Sequence, residues 1–146
     1  MDLFDIDQFD WRHYQDTGPG SIKIDYWSTI LRADESGRVE LLYRWEPNAH
    51  CHFHRHRAHT TSIVLKGELH IADYVGDKAT ASRVRPAGHR AHSEDNEVHR
   101  EWGGPEGALV YFSLLSIDGA LADQLDEAGQ IIRTVTLADV LRATVA

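Results

Sequence analysis

The feature that most constrains this chain is a run in which histidine occupies every second position from residue 50 to residue 56. Side chains of a β-strand alternate between its two faces, so a strand here would place all these imidazoles on one face. Imidazole is the commonest side-chain metal ligand, and it suits zinc, iron, copper and nickel. Because one strand cannot bring every ring to a single ion, we predict that two or three of the set bind a metal. The set comprises His50, His52, His54 and His56.

Composition limits the class of protein. The chain has 146 residues, which favours a single domain spanning 1–146. The net charge of −8 argues against nucleic acid or an anionic membrane as a partner. The single cysteine, Cys51, excludes an internal disulfide, and strand alternation would point it away from the histidines. The acidic first residues and the absence of a long apolar run lead us to expect a cytoplasmic protein.

Strand patterns dominate the chain. Residues 39–45 alternate apolar and polar side chains, 61–66 are β-branched and apolar, and 108–116 form the longest apolar stretch. Glycine and proline punctuate these segments, which predicts an all-β sandwich or barrel. Near the end, apolar residues recur at helical spacing over 137–143, after Thr136 as a candidate cap. We therefore predict an antiparallel β fold with a short C-terminal helix.

The second half of the histidine run resembles a known motif. Residues 54–56 read His-Arg-His, a Pro-Asn-Ala bend precedes them at 47–49, and residues 64–69 read Val-Leu-Lys-Gly-Glu-Leu. This pattern is similar to the first motif of the cupin superfamily, also called RmlC-like proteins. The resemblance covers about residues 38–116 and implies a cupin-type antiparallel β-barrel, that is, a double-stranded β-helix or jelly roll. It selects His54 and His56 as metal ligands over His50 and His52.

One position departs from that motif. The family's glutamate falls on Thr60, and a threonine hydroxyl is a poor ligand for a divalent ion. The resemblance therefore implies a shell of three histidines, or one that recruits another group such as His59, His52 or Glu101.

The family's second motif, which supplies the third histidine, fits in two ways. One alignment starts at the Pro-Ala-Gly bend 86–88 and gives His92, which stands one residue beyond the motif's histidine position. The other runs from Glu94, places Asn96 at the glycine position and gives His99. Asn tolerates the positive φ that this position requires. We favour His99, with His92 in reserve, because its distance to the strand at 108–116 fits better.

The resemblance also implies a function. The tail is similar to small cupins grouped with 2,4'-dihydroxyacetophenone dioxygenase, which implies a non-haem iron dioxygenase for a small hydroxy-ketone or phenolic substrate. Iron is the expected metal, with zinc, nickel or manganese as alternatives. The anti-sigma-factor cupins imply a different function, a non-catalytic module that binds zinc or a small ligand. A small-molecule substrate and a homodimer are expected. The substrate pocket or the groups around the metal are predicted to include Tyr43, Trp45, His52, Thr60, His92 and Glu101.

Overall fold

The computed structural model describes residues 6–18, 22–76, 78–94, 98–126 and 128–144. After a short 3-10 helix, Ile6–Gln8, come the strands β1 to β10 and one helix, α1. The strands are β1 (Arg12–Thr17), β2 (Lys23–Ala33), β3 (Arg38–Trp45), β4 (His54–His56), β5 (His59–Val75), β6 (Lys78–Pro86), β7 (Arg90–Ser93), β8 (Val98–Leu115), β9 (Ala120–Leu125) and β10 (Ile131–Thr136); α1 is Leu137–Thr144.

The strands form one curled antiparallel sheet. Its main path runs β1-β2-β3-β8-β4-β9-β10, while β5 pairs with β6, β7 and β8. The long strand β8 joins the two parts because it pairs with β3 and β4 as well as with β5. The predicted all-β antiparallel fold with a short C-terminal helix is confirmed.

Alternation in the strands builds the core. In β3, Val39, Leu41 and Trp45 are buried. They belong to the same hydrophobic core as Val110 and Phe112 of β8. This pattern is the period-two signal of a strand with one buried face. A bend in β5 depends on Gly67, which has φ +71° and would bring a Cβ within 2.2 Å of the Gly107 carbonyl oxygen. Only glycine tolerates both the conformation and the close approach.

Helix α1 closes one end of the sheet. The backbone N–H of Asp139 donates to the Thr136 hydroxyl, and the backbone N–H of Thr136 donates to the Asp139 carboxylate. These two bonds form a capping box, so Thr136 caps α1 as the sequence indicated. Val140 anchors the helix in the core. In the described part of the chain, no helix has the length and apolar character needed to cross a membrane.

A regular strand, β4, covers only the last three residues of the alternating histidine run. The backbone of His50 instead bonds to Lys23 and Asp25 of β2, and the N–H of Cys51 donates to the Glu101 carbonyl. The chain therefore changes strand partner between residues 51 and 54. The four histidines do not form one continuous row, because alternation holds only within a strand.

Candidate metal centre

Two strands bring histidines together on the inner face of the sheet. His54 of β4 lies directly opposite His99 of β8. Opposite residues of an antiparallel pair share a face, as do residues two apart on one strand, so His56 and Glu101 join them. One ligand atom from each of these residues lies within 4.8 Å of the others. We refer to His54, His56, His99 and Glu101 as the histidine–glutamate cluster.

The distances in this cluster fit a metal ion. Nε2 of His54 lies 2.8 Å from Nε2 of His99 and 3.0 Å from Oε1 of Glu101. Oε1 of Glu101 lies 3.2 Å from Nε2 of His99 and 4.0 Å from Nε2 of His56. With metal–ligand bonds of about 2.1 Å, two ligands of an octahedral ion are separated by roughly 3 to 4.2 Å. The cluster therefore has the spacing and the donor types of a divalent metal site.

Contacts outside the cluster orient two of the rings. Nδ1 of His54 lies 3.0 Å from the carbonyl oxygen of His52, so a proton on Nδ1 donates there and Nε2 is left for an ion. The ring of His56 stacks on Phe112, with centroids 6.2 Å apart. Its Nδ1 is buried and has no hydrogen-bond partner among the described residues. Packing rather than hydrogen bonding holds the ring of His56.

The electrostatics favour cation binding. Burial lowers the pKa of His56 to about 4 and also lowers the pKa of His99. Burial alone would raise the pKa of Glu101, but hydrogen bonds from the surrounding histidines lower it well below its usual range. Burial alone would lower the pKa of His54. The neighbouring Cys51 and Glu101 raise it more, so that it lies well above its ordinary value. Glu101 is therefore an anion beside the neutral imidazoles of His56 and His99, whereas His54 is protonated and must release a proton before it binds an ion.

A buried carboxylate fixes the short strand β4. Asp123 of β9 is completely buried, and its Oδ2 accepts hydrogen bonds from Nε and Nη2 of Arg55 at 3.0 and 2.7 Å. Arg57 and the hydroxyl of Thr134 also donate to this carboxylate. Arg55 stands between the two histidines of β4, so its anchor fixes the register of both. Sequence reasoning missed this network; its signal was the pair of arginines interleaved with the histidines.

The cluster opens into a cavity of about 770 Å³. His54, His56 and Glu101 line one part of it, and Tyr43 and Trp45, which we had predicted to line a pocket, form part of its wall. His52 also lines the cavity, and its Nδ1 lies 3.4 Å from the hydroxyl of Tyr26. Sequence reasoning missed Tyr26, Phe112 and the more distant lining residues. Their positions depend on how distant strands pair.

Other candidate residues lie elsewhere. His92 is on β7, with 46% of its side chain exposed, and its Nδ1 lies 2.8 Å from the Thr61 hydroxyl. Thr60 is buried and donates to the carbonyl of Ala58, and it is not among the residues that line the cavity. His50 stacks on Trp102, with centroids 5.1 Å apart. Asn96, which decided between the two alignments, lies outside the described residues.

The prediction that Cys51 points away from the histidines is wrong. Its Sγ lies 3.6 Å from Nδ1 of His54, and Cys51 lines the cavity. The reason is that residues 51–53 are outside any strand, so the alternation that we assumed does not apply to them.

Comparisons with known proteins identify the fold. No protein-family model and no curated protein matches the chain. Among solved structures, an assigned acetylacetone dioxygenase from Methylibium petroleiphilum PM1 has a TM-score of 0.71 at 20% identity, over 100% of this chain and 95% of that chain. An acetylacetone dioxygenase from Acinetobacter johnsonii has a TM-score of 0.67 at 15% identity, with 91% and 85% covered.

A third structure is named after the fold itself. It is an RmlC-like cupin from Ralstonia eutropha JMP134, with a TM-score of 0.71 at 12% identity, over 97% of this chain and 82% of that chain. Identities this low show shared architecture and do not transfer an activity. The chain has the cupin fold.

Proposed function

We propose that this protein is a metal-dependent cupin enzyme and, more specifically, a non-haem iron dioxygenase. The substrate class is a small ketone with a second oxygen in chelating position, such as a hydroxy-ketone, or a phenolic compound. One observation carries the proposal: the histidine–glutamate cluster gathers its donor atoms within 4.8 Å at the wall of a cavity large enough for such a substrate.

The donor set leaves room for a reaction. Four protein ligands would fill four of the six positions of an octahedral ion, so two would remain for a substrate or dioxygen. Bound Fe(II) would supply open coordination positions and the redox capacity for oxidative carbon–carbon cleavage. Two of the structural neighbours are named as acetylacetone dioxygenases. Acetylacetone is a 1,3-diketone, and its two oxygens can chelate an ion as those of a hydroxy-ketone can.

The residues around the cluster would hold such a substrate. The rings of Tyr43 and Trp45 stack at a centroid distance of 5.6 Å, and Tyr43 meets Phe112 edge to face at 5.4 Å. These rings form an apolar wall beside the cluster, which excludes water and packs against a flat carbonyl compound. Burial raises the pKa of Tyr43 further above its ordinary value of 10.0, so its hydroxyl stays protonated and able to donate a hydrogen bond.

A second function has one observation in its favour. Four protein donors also satisfy a tetrahedral zinc ion, and a closed four-ligand site is typical of structural zinc. On this alternative the protein is a non-catalytic module that binds zinc or a small ligand.

Metal analysis followed by turnover distinguishes the two functions. Protein purified without added metal is analysed for its elements, then loaded with Fe(II) without oxygen and mixed with acetylacetone or 2,4'-dihydroxyacetophenone. Oxygen uptake that requires iron and is lost in His54→Ala but kept in the matched His92→Ala variant supports the enzyme. Full occupancy by zinc, a four-coordinate spectrum after cobalt substitution and no oxygen uptake would support the module instead.

We also propose that the protein forms a homodimer. Strand β1 pairs only with β2 among the described strands, so its other edge is open. Open edges favour pairing with another chain. A monomer mass by light scattering at micromolar concentration would contradict this proposal.

A further inference from the structure

We propose that the substrate carries an anionic group, most simply a carboxylate, which Arg133 and Arg12 bind in the cavity while the chelating oxygens face the histidine–glutamate cluster. This inference rests on the proposed function and deepens it, because it names the chemical class of the substrate. Two observations support it: the strand register, and whether the arginines that line the cavity form ion pairs with carboxylates.

The register places Arg133 on the same face as the metal cluster. His54 of β4 lies opposite Gln124 of β9, and Gln124 lies opposite Arg133 of β10. Opposite residues in antiparallel strands point to the same side, so these three residues form one row across the sheet. Each of them lines the cavity. Neighbouring strands are about 4.8 Å apart, so the backbone of Arg133 is roughly 10 Å from that of His54.

A second row reaches the same cavity from the other edge of the sheet. Arg12 of β1 lies opposite Ser28 of β2, and Ser28 lies opposite Tyr43 of β3. All three line the cavity. Arg12 and Arg133 are therefore on the two end strands of the main sheet path, and each is two strands away from a residue beside the cluster.

These two arginines differ from the other arginines near the cavity. Arg32 pairs with Asp34 at 3.2 Å, and Arg55 pairs with Asp123 at 2.7 Å. For Arg12 and Arg133, the described residues provide no carboxylate within 4.0 Å. In a chain with a net charge of −8, two exposed guanidinium groups that line one cavity and form no ion pair within 4.0 Å among the described residues are an arrangement suited to an anion.

Two of the acidic side chains that line the cavity, Asp123 and Asp139, already have partners, and Asp10 lines the cavity as well. Asp123 is held by Arg55, Arg57 and Thr134. Asp139 accepts from the backbone of Thr136 and from Arg142. Arg133 is exposed to solvent and lines the cavity, as does Val135 two positions further along β10. An incoming carboxylate would therefore meet the guanidinium groups of Arg12 and Arg133, while Asp123 and Asp139 are held by other residues.

The chemistry and the volume agree on the kind of ligand. A guanidinium group donates two parallel hydrogen bonds to a carboxylate, which a neutral ketone cannot accept in the same way. The cavity of about 770 Å³ far exceeds the needs of acetylacetone, which has seven non-hydrogen atoms. The inferred substrate is a 1,3-diketone or hydroxy-ketone extended by a short arm that ends in a carboxylate.

Two diketones that differ only in charge test the inference. The full-length protein is loaded with Ni(II) and titrated by calorimetry with 4,6-dioxoheptanoate and with heptane-2,4-dione, in which a methyl group replaces the carboxylate. We expect the wild type to bind the anion about three- to tenfold more tightly, as for a solvent-accessible ion pair with good geometry. The preference should decrease as salt rises.

Variants locate the effect. Arg133→Gln and Arg12→Gln should each reduce the preference and leave binding of the neutral diketone unchanged, and Arg133→Lys should keep part of it. Arg90→Gln is the matched control, because Arg90 lies on β7 and does not line the cavity. It removes the same charge and should keep the full preference.

The outcomes separate this inference from the proposed function. If the wild type binds both diketones equally, or if the double variant of Arg12 and Arg133 keeps the preference, the anion site is wrong and the metal-dependent function stands. If neither diketone binds to protein that is fully loaded with metal, the chelating substrate itself is wrong, and both proposals fail.

Discussion

Two groups of histidines near a glutamate stand on opposite faces of the same fold. In the inner group, His54 and His99 lie 3.0 and 3.2 Å from Glu101, which is almost completely buried. In the outer group, His92 and His59 lie 3.5 and 3.7 Å from Glu94, whose side chain is 64% exposed. Both groups contain residues that the sequence offered as metal ligands. Only the inner group gathers its donor atoms within 4.8 Å among the described residues.

The difference between these groups is one of strand face. His92 lies opposite Thr61 in the β5–β7 pair, and Thr61 belongs to the less buried set of alternating residues in β5. His99 lies opposite His54, and His54 lines the cavity. Burial removes competing water and keeps the carboxylate within reach of the rings, whereas solvent screens the outer group. The strand face on which histidines lie is therefore a better indicator of a metal site than the number of histidines in a segment.

The largest expected effect separates the two groups directly. His54→Ala or His99→Ala removes one imidazole from the inner group, so we expect the purified protein to lose its metal. His92→Ala should keep full occupancy, because its ring is on the outer face. Elemental analysis of the three variants checks this. Loss of metal from His92→Ala with retention in His99→Ala would show that we assigned the third ligand to the wrong residue.

The next effect concerns the buried ion pairs that hold the inner group in place. Asp123→Asn leaves Arg55 and Arg57 without their buried carboxylate, and breaking such a pair costs about 3–5 kcal/mol of unfolding free energy. Asp118→Asn is the control, since its exposed pairing with Arg57 is worth less than about 1 kcal/mol. Urea unfolding of both variants measures the difference. Equal midpoints would contradict a special role for Asp123.

A third prediction concerns Glu101 itself. Glu101→Gln keeps the shape of the side chain but replaces an anionic donor by a neutral amide, so metal affinity should fall by at least about tenfold. Glu106→Gln, on the exposed part of β8, makes the same chemical change away from the cluster and should have no effect. Competition with a chromophoric chelator measures both affinities. An unchanged affinity in Glu101→Gln would mean that this carboxylate is not a ligand.

Much of the fold could be predicted from the sequence because its signals are local. Alternation in β3, the apolar stretch of β8 and the helical spacing of α1 are all visible within short windows. The position of His54 and His56 on one face also follows from alternation within one short strand. These features depend on neighbouring residues and on the backbone geometry of single elements.

The features that could not be predicted from the sequence depend on the register between strands that are distant in the chain. Glu101 was one of several alternatives for the missing motif glutamate, because nothing local shows that β8 brings it to His54. The contact of Asp123 with Arg55 spans 68 positions, and the row that ends at Arg133 crosses three strands. The direction of Cys51 was wrong for a related reason, since a local break in pairing cancels the alternation. Pairing of this kind has no local signature in a single sequence.

Acid should weaken the fold through the same carboxylate that anchors β4. Burial would raise the pKa of Asp123, but its hydrogen bonds with Thr134, Arg55 and Arg57 lower it below the ordinary 3.8. A lowered pKa in the folded state means that the carboxylate stabilises the fold above pH 3.8, and that this contribution is lost as the pH falls through the folded-state value. Unfolding midpoints between pH 6 and about pH 3 should decline less in Asp123→Asn than in the wild type.

The smallest effect is expected in the outer group. Glu94→Gln removes the charge that faces His59 and His92 at 3.7 and 3.5 Å. These contacts are longer than good hydrogen bonds, and their side chains are largely exposed to water. The change in unfolding free energy should therefore be below about 0.5 kcal/mol, as for most exposed pairs, with metal content unchanged. A loss of metal in Glu94→Gln, or a destabilisation comparable to that of Asp123→Asn, would show that strand face does not separate the two groups as we infer.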